Sequence, residues 1–236
     1  MTATGFVTIG QAPRPDILRS MVPHASVASC IETGALDIID ENELAALAPT
    51  GGATPFVSRL RDGREVLIDK QKLMPRLQKA VGRAIDDGAR SVVIVCTGSF
   101  PEITAQVPLI FPDHLLRANV DQLLPTGILG IVMPNEGQRA MMHEKWERPG
   151  RQIVAVGISP YASDGKPDHA AIESLATCDL VVLDCMGFNE EMRSAWQEPL
   201  SVPVILANRL VGRILEELDP ALRQATPMSG VSQSAD

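Results

Sequence analysis

The sequence predicts an α/β protein built from two similar lobes, each a mostly parallel sheet flanked by helices. Three observations predict it. Short aliphatic and β-branched runs alternate with amphipathic stretches of helical period almost throughout, the βαβα order of a parallel sheet covered on both faces. The strand pattern restarts near Gly127. Two runs also end alike: Val92-Val93-Ile94-Val95-Cys96-Thr97-Gly98-Ser99-Phe100 and Val181-Val182-Leu183-Asp184-Cys185-Met186-Gly187-Phe188. In both, a buried strand delivers a cysteine and then a glycine turn. The expected division assigns 1–126 plus 202–218 to the first lobe, 127–201 to the second and 219–236 to a flexible tail.

Residues 4–9 read as the first strand, leading into Gly10-Gln11-Ala12-Pro13-Arg14-Pro15-Asp16. The prolines forbid a regular helix through this loop, but Pro15 suits a first helical turn. Ile17, Leu18, Met21 and Val22 give the following helix a short apolar face. Residues 25–32 are the second strand, and 36–47 hold a short helix around Glu41-Asn42-Glu43-Leu44, stopped by Pro49 and Gly51-Gly52. Asp62-Gly63, between apolar runs at 54–60 and 65–68, marks a hairpin, because that pair supplies the positive φ angles of a tight turn.

Leu73, Leu77, Ala80, Val81, Ala84 and Ile85 recur at helical spacing, an amphipathic helix ended by Gly88 that feeds the Cys96 strand. A brief strand at 108–111 and a helix at 112–124 complete the first half. The second half reads as strand 127–133, then Pro134-Asn135-Glu136 opening a helix to Trp146, strand 152–156, helix 167–177 and the Cys185 strand. A last strand at 202–207 precedes a helix opened by Asn208 and running through Leu218. Beyond Pro220 the residues turn small and polar and read as a fraying end.

Composition narrows the function. Aromatic residues make up 3% and the formal net charge is -8, so base-stacking platforms are nearly absent, the charge argues against binding a phosphate backbone while leaving room for a small anionic substrate, and no nucleic-acid partner is expected. No basic, apolar leader opens the sequence, and no stretch approaches the roughly 20 apolar residues that span a bilayer. A cytoplasmic protein with no membrane partner is expected. The four histidines are scattered and the four cysteines show no C-x-x-C spacing, so no metal site is expected. There is no G-x-G-x-x-G after the first strand and no Walker lysine, so no nucleotide cofactor is expected either.

Two thiols at strand ends suit one chemistry. Inverting a carbon centre beside a carboxylate needs a base on one face and an acid on the other, and a thiolate and a thiol can exchange those roles. In open α/β sheets ligands bind beyond the carboxyl ends of strands, where Cys96 and Cys185 fall. The thiolate needs donors, and the amides of Thr97, Gly98 and Ser99, and of Met186, Gly187 and Phe188, follow the two sulfurs. The competing reading is packing, since cysteine is among the most buried residue types. Cys30 and Cys178 lack the glycine turn and read as structural. Thr8, Gly10, Gln11 and Arg14, ending the first strand, either hold a substrate carboxylate or form a plain loop. Asn208 is an N-cap or a site amide, with capping favoured. Asp184 should point away from the thiol, on the opposite face of its strand.

Thr8-Ile9-Gly10-Gln11-Ala12-Pro13-Arg14-Pro15-Asp16, Gly34-Ala35-Leu36-Asp37, the Leu183 to Phe188 run and Val202-Pro203-Val204-Ile205-Leu206-Ala207-Asn208 together resemble the AroM family. The wider resemblance is to the aspartate/glutamate racemase superfamily. It implies two α/β lobes, one cysteine from each lobe at a cleft between them, and no cofactor. Cys96-Thr97 is similar to that superfamily's first-lobe pair, and Cys185 to its second-lobe cysteine. Met186 stands where a hydroxyl residue is usual, and Asp184 where glycine is common.

The expected function is a cofactor-independent racemase or isomerase on a small carboxylate-bearing molecule, with Cys96 and Cys185 as the acid/base pair. Thr8, Gly10, Gln11, Arg14, Thr97, Gly98, Ser99, Gly187, Phe188 and Asn208 would bind substrate. Two alternatives stand beside it. One is a two-lobed binding or regulatory protein without chemistry; the other is a one-cysteine decarboxylase or cis-trans isomerase. A homo-oligomer is compatible with all three.

Overall fold

The computed structural model of the chain describes residues 3–26, 30–51, 53, 55–162 and 164–223. In the first half, β1 (Thr4–Thr8), β2 (Ile31–Gly34), β5 (Ser91–Val95) and β6 (Leu109–Ile110) form one parallel sheet in the order β2-β1-β5-β6. In the second, β7 (Gly127–Met133), β8 (Arg151–Gly157), β9 (Leu180–Leu183) and β10 (Val204–Leu206) form another, in the order β8-β7-β9-β10. The two sheets are the same arrangement made twice. β7 stands where β1 does, β9 where β5 does, and so Cys96 and Cys185 leave equivalent strands.

The helices follow from the periodicity. α1 (Pro15–Met21) starts on its proline, and α2 (Glu41–Ala46) carries a reciprocal capping box between Asp40 and Glu43. α3 (Lys70–Asp86) is capped by the Asp69 carboxylate and buries Leu73, Leu77, Ala80, Val81 and Ala84. α4 (Pro112–Leu123), α5 (Arg139–Trp146), α6 (His169–Leu175) and α8 (Ala207–Leu218) cover the remaining faces. None is long and apolar enough to cross a membrane, among the described residues. Two antiparallel strands, β3 (Pro55–Arg59) and β4 (Glu65–Asp69), form a separate hairpin turned at Gly63, whose φ is +90°.

Alternation along the strands sorts the core into three layers. Phe6, Val93 and Val95 face inward with Leu129, Ile131 and Val182, joining the apolar faces of α1, α4 and α8 between the lobes. The other faces take Val7, Val92 and Ile94 against α3, and Val132, Val181 and Leu183 with Leu175 of α6 and Trp196. The period of two therefore gives each sheet one interlobe face and one outer face.

Four expectations need correction. The expected division returned 202–218 to the first lobe, but β10 pairs with β9 in the second sheet. β10 and α8 are the second lobe's copy of β6 and α4, and only the helix crosses over to pack on α1 and α4. A helix absent from the expectation, α7 (Glu190–Leu200), follows the Cys185 turn. Asn189 caps it, and Pro199 in its last turn disguised it in the sequence. β2 runs from Ile31 to Gly34 rather than over 25–32, of which 27–29 lie outside the described residues. The end past 218 is not all tail. Pro220–Arg223 form a 3-10 turn that buries Leu222, and the Asp219 carboxylate accepts bonds from the Thr4 amide and hydroxyl at 3.2 and 3.1 Å. Residues 224–236, also expected to be tail, lie outside the described residues.

The interlobe helix contact depends on one glycine. A Cβ at Gly212 of α8 would overlap the Met21 carbonyl at the end of α1. Gly212→Ala should therefore force α8 off α1 and cost about 2–4 kcal/mol, the range of severe overpacking. Urea unfolding measures it; an unchanged midpoint would show that the two helices separate freely.

Candidate active site

In each sheet the chain leaves its first strand toward one edge and its third toward the other. The switch points therefore lie between β1 and β5 and between β7 and β9, where loops diverge and leave a crevice. The loops at these four carboxyl ends meet around one cavity. Ile9 and Arg14 follow β1, Cys96, Thr97 and Gly98 follow β5, Pro134 and Gln138 follow β7, and Cys185 and Met186 follow β9. Both thiols line it. Its volume is about 30 Å³, room for a water or two and for no substrate.

The two cysteine turns have the same local chemistry. The Gly98 amide donates to Cys96 Sγ at 3.4 Å, and the Gly187 amide donates to Cys185 Sγ at 3.4 Å. Each thiol also has one nearby cation, Lys145 for Cys96 and Arg14 for Cys185. Even so, burial dominates. It pushes the Cys96 thiol up to about 12, with Cys185 adding to the rise and the Gly98 amide and Lys145 opposing it. It pushes Cys185 up to about 11, with the Asp184 charge adding to the rise and the Gly187 amide, the Tyr161 hydroxyl and Arg14 opposing it. In this closed form both thiols hold their protons at neutral pH. All four cysteines are free, and neither Cys30 nor Cys178 lines the cavity.

Arg14 reaches the cavity, but its fork is occupied. Nε and Nη2 donate to the two Asp16 oxygens at 2.9 and 2.8 Å, and Nη2 also lies 3.3 Å from the Tyr161 hydroxyl. Burial would raise the Asp16 carboxyl, yet the Arg14 hydrogen bonds and charge hold it below its ordinary value. The guanidinium also stacks over the Tyr161 ring, 5.4 Å from its centroid. The Tyr161 hydroxyl is also among the groups that oppose the rise of the Cys185 thiol. Sequence reasoning missed Tyr161. The available signal was that it is the chain's sole tyrosine, in a loop beyond a strand's carboxyl end.

Several expected ligand-binding residues instead build the walls. Thr8 Oγ1 accepts the Gly10 amide at 3.2 Å and stays buried. A Cβ on Gly10 would clash with Ser58 and Arg59, so this glycine lets the hairpin lie on the end of β1. Gln11 spends both amide groups on that packing, donating to the Leu36 carbonyl at 3.0 Å and accepting from the Arg61 amide at 2.9 Å. Phe188 is fully buried in the outer core of the second lobe. Asn208 is not an N-cap, since Leu206 holds that position in α8. Its Nδ2 donates to the carbonyls of Met186, at 3.1 Å, and of Phe188, so it pins the Cys185 turn from behind. Ser99 borders a neighbouring pocket of about 330 Å³ rather than the thiol cavity.

Asp184 turns its fully buried carboxylate away from Cys185. It accepts from Trp146 Nε1 at 2.7 Å and from Lys145 Nζ at 2.9–3.0 Å. Sequence reasoning also missed Lys145, which sits on α5, far in sequence from either cysteine.

The hairpin closes the cavity. Phe56, Val57 and Ser58 of β3 line it, and the Phe56 ring lies where a Cβ on Gly98 would be. Two contacts tie the hairpin to the second lobe: Gln138 Nε2 donates to the Pro55 carbonyl at 2.7 Å, and the Ser159 hydroxyl donates to Glu65.

Comparison with known proteins places this architecture. The sequence profile of the AroM protein family matches residues 4–219. Among curated proteins, none matches the sequence. Solved structures do match by fold. A liganded double mutant of arylmalonate decarboxylase superposes with a TM-score of 0.55 at 12% identity, covering 97% of this chain and 94% of that one. Glutamate racemase from Francisella tularensis, in complex with D-glutamate, gives 0.54 at 13%, covering 95% and 84%. Aspartate racemase from Picrophilus torridus gives 0.55 at 9%, covering 96% of each chain. At such identities the likeness carries the two-lobed racemase-like fold and not an activity.

Two outcomes follow from the closed, buried geometry. Both thiols have folded pKa values raised above the ordinary 9.0, so the folded state keeps its protons longer than the unfolded chain. The stability carried by that difference is complete below about pH 9 and is lost as the pH climbs through about 11 to 12. Urea midpoints should fall over this window, and a Cys96→Ser/Cys185→Ser protein should fall less; parallel curves would refute the burial argument. Glu65→Ala should release the hairpin and speed alkylation of both cysteines by about three- to tenfold, the equivalent of one lost hydrogen bond. An unchanged rate would mean that the hairpin is not the gate.

Proposed function

Since the chain belongs to the AroM protein family, whose fold here is racemase-like, we propose that it is a cofactor-independent racemase or isomerase of a small carboxylate-bearing molecule. The observation that supports this most is the shared cavity: two thiols from equivalent strand ends of the two lobes, each bonded to the amide two residues on. One thiol, as thiolate, removes the proton from the carbon beside the carboxylate. The other, as thiol, protonates the opposite face, and the roles exchange in the reverse direction. Proton transfer between two sulfurs and one carbon balances without a redox partner or a further group.

The thiolate has to be made on opening. When the hairpin lifts, water reaches the sulfurs and the largest opposition to ionisation falls, while the Gly98 and Gly187 amides and the cations stay in place. Closure over a ligand then returns the charge to a dry site, where it is most basic. Arg14 would act through Tyr161 and Cys185 more than as a free carboxylate clamp, because Asp16 already holds its fork. The substrate carboxylate is left to the turn amides and to the hydroxyl of Tyr161.

A second reading has one observation in its favour. The Tyr161 hydroxyl opposes the rise of the Cys185 thiol, whereas no hydroxyl is among the groups that act most strongly on Cys96. A single-thiol decarboxylase, with Cys185 as the proton donor to a carbanion, would need only that side of the cavity.

Hydrogen-deuterium exchange at the α-carbon separates the readings. In D₂O, a panel of 2-amino and 2-hydroxy acids followed by NMR should reveal a substrate whose α-proton washes out. Cys96→Ser and Cys185→Ser should each slow that exchange by about 10²–10⁴-fold, the weight of one acid/base group. Loss in Cys185→Ser alone would favour the one-thiol enzyme. No exchange with any acid, together with thiols inert until unfolding, would leave a binding protein.

A further inference from the structure

Lys145 lies between the two cysteine turns and touches a chain neighbour of each thiol. Its side chain is 9% exposed. Nζ donates to the carbonyl of Thr97, next to Cys96, at 2.8 Å, and lies 2.9–3.0 Å from the carboxylate oxygens of Asp184, next to Cys185. Its other neighbours are Asp113 Oδ1 of α4, at 3.4 Å, and the Trp146 ring, whose centroid lies 5.1 Å away. Its hydrogen bonds go to Thr97 and Asp184, while Asp113 is an ion-pair neighbour whose Oδ1 accepts no hydrogen bond. Thr97 Oγ1 closes the ring by donating to the Asp184 carbonyl at 3.1 Å. One cation thus ties the end of β5 to the end of β9 across the lobe boundary.

We propose that Lys145 is a positioning residue of the thiol site: it holds the two cysteine turns at their working separation and supplies the positive charge against Cys96. The proposal rests on the two-thiol reading and deepens it. A buried ion pair alone adds little net stability compared with apolar residues of equal size, so the pair's presence beside both turns calls for another role. Geometry supplies one. Thr97 and Asp184 are fixed by the same ammonium, and any shift of one lobe against the other breaks a bond to it.

The charges around the two groups are few. Cys96 faces Cys185 and Asp184 from the end of β9, and Lys145 from α5. Lys145 faces Asp184, Asp113 and, through Asp113, Arg117 of α4 at 3.2 Å from that carboxylate. Glu144 and Lys70 border the adjoining pocket.

Iodoacetamide labelling with mass spectrometry reads each cysteine separately across pH, with Cys185 as the internal control. Lys145→Gln keeps a hydrogen-bonding side chain and removes the charge. It should shift the Cys96 profile up by about one pH unit, a roughly tenfold slower reaction at a given pH, and slow Cys185 by less, through the charge left unpaired on Asp184. Lys145→Arg should restore most of the Cys96 rate. A merely structural lysine predicts the opposite sign, because a loosened cavity would speed both thiols.

Asp113→Asn, which is isosteric and leaves Lys145 in place, frees more of the ammonium's charge. It should speed Cys96 by about threefold and leave Cys185 alone; this variant carries the test if Lys145→Gln does not fold. Cys96 unchanged or faster in Lys145→Gln, or Cys96 no faster than Cys185 in Asp113→Asn, overturns the role of Lys145 while leaving the two-thiol reading intact. Wild-type thiols inert until unfolding overturn both.

Discussion

The buried pair between Lys145 and Asp184 is the contact on which the site's alignment depends. The two lobes already share an apolar layer, but hydrophobic burial is non-directional and fixes no register to a fraction of an ångström. Hydrogen bonds of 2.8–3.0 Å from one ammonium to Thr97 and Asp184 do. The energetic asymmetry of such a pair is instructive. Its net contribution is small, yet removing one partner strands a charge in the interior at about 3–5 kcal/mol. Trp146 donates a further bond to the same carboxylate, so Asp184 is held from two adjacent residues of α5.

Around that pair the molecule is a duplication with unequal halves. Each lobe presents a thiol at the end of its third strand, an amide two residues on and one cation. Beyond that the symmetry is broken. Arg14 approaches Cys185 from the first lobe, already neutralised by Asp16 and stacked on Tyr161, whereas Lys145 approaches Cys96 from the second. Each thiol is therefore served by a cation from the opposite lobe. Separating the lobes would strip both sulfurs of their cations together, so an opening that favours ionisation has to move the hairpin and leave the lobes docked. The loop between β8 and α6 and the inserted β3–β4 hairpin occupy equivalent places in the two halves, and they meet at Ser159 and Glu65 over the cavity.

Much of this was legible in the sequence, and the limits have physical causes. The strand runs, their glycine turns and the Asp62-Gly63 hairpin announce themselves because backbone sterics restrict what those residues can do. The paired cysteine endings pointed to the two strand ends that the fold brings to one cavity. Local pattern failed where the outcome depended on a distant partner. Asn208 looked like a cap, and became a pin only because the Met186 and Phe188 carbonyls come within reach of its amide. Arg14 looked like a carboxylate clamp until Asp16, two residues on, folded back onto it. Lys145 had no local signal at all, since its role exists only once α5, β5 and β9 converge. The last strand was misassigned for a related reason: strand order within a sheet is a non-local choice, and α8 does return to the first lobe even though β10 does not.

The small volume of the cavity constrains the proposed thiol chemistry. A space of about 30 Å³ lined by two protonated thiols has no room for a substrate, so the proposed chemistry requires a more open form. The same desolvation that raises both thiols would make either thiolate a strong base once formed, so the cost of ionisation and the driving force for proton abstraction have one origin. What decides whether the site works is then how the charge is admitted and which groups remain beside it. The amides of Gly98 and Gly187 belong to turns held by Lys145 and Asn208, and these donors do not have to reorganise when the hairpin moves. The hairpin rests on Gly10 and Gly98, two positions where a side chain would prop it open. On the proposed reading, rigid turns beneath a hairpin that lifts would let a tight site admit its ligand.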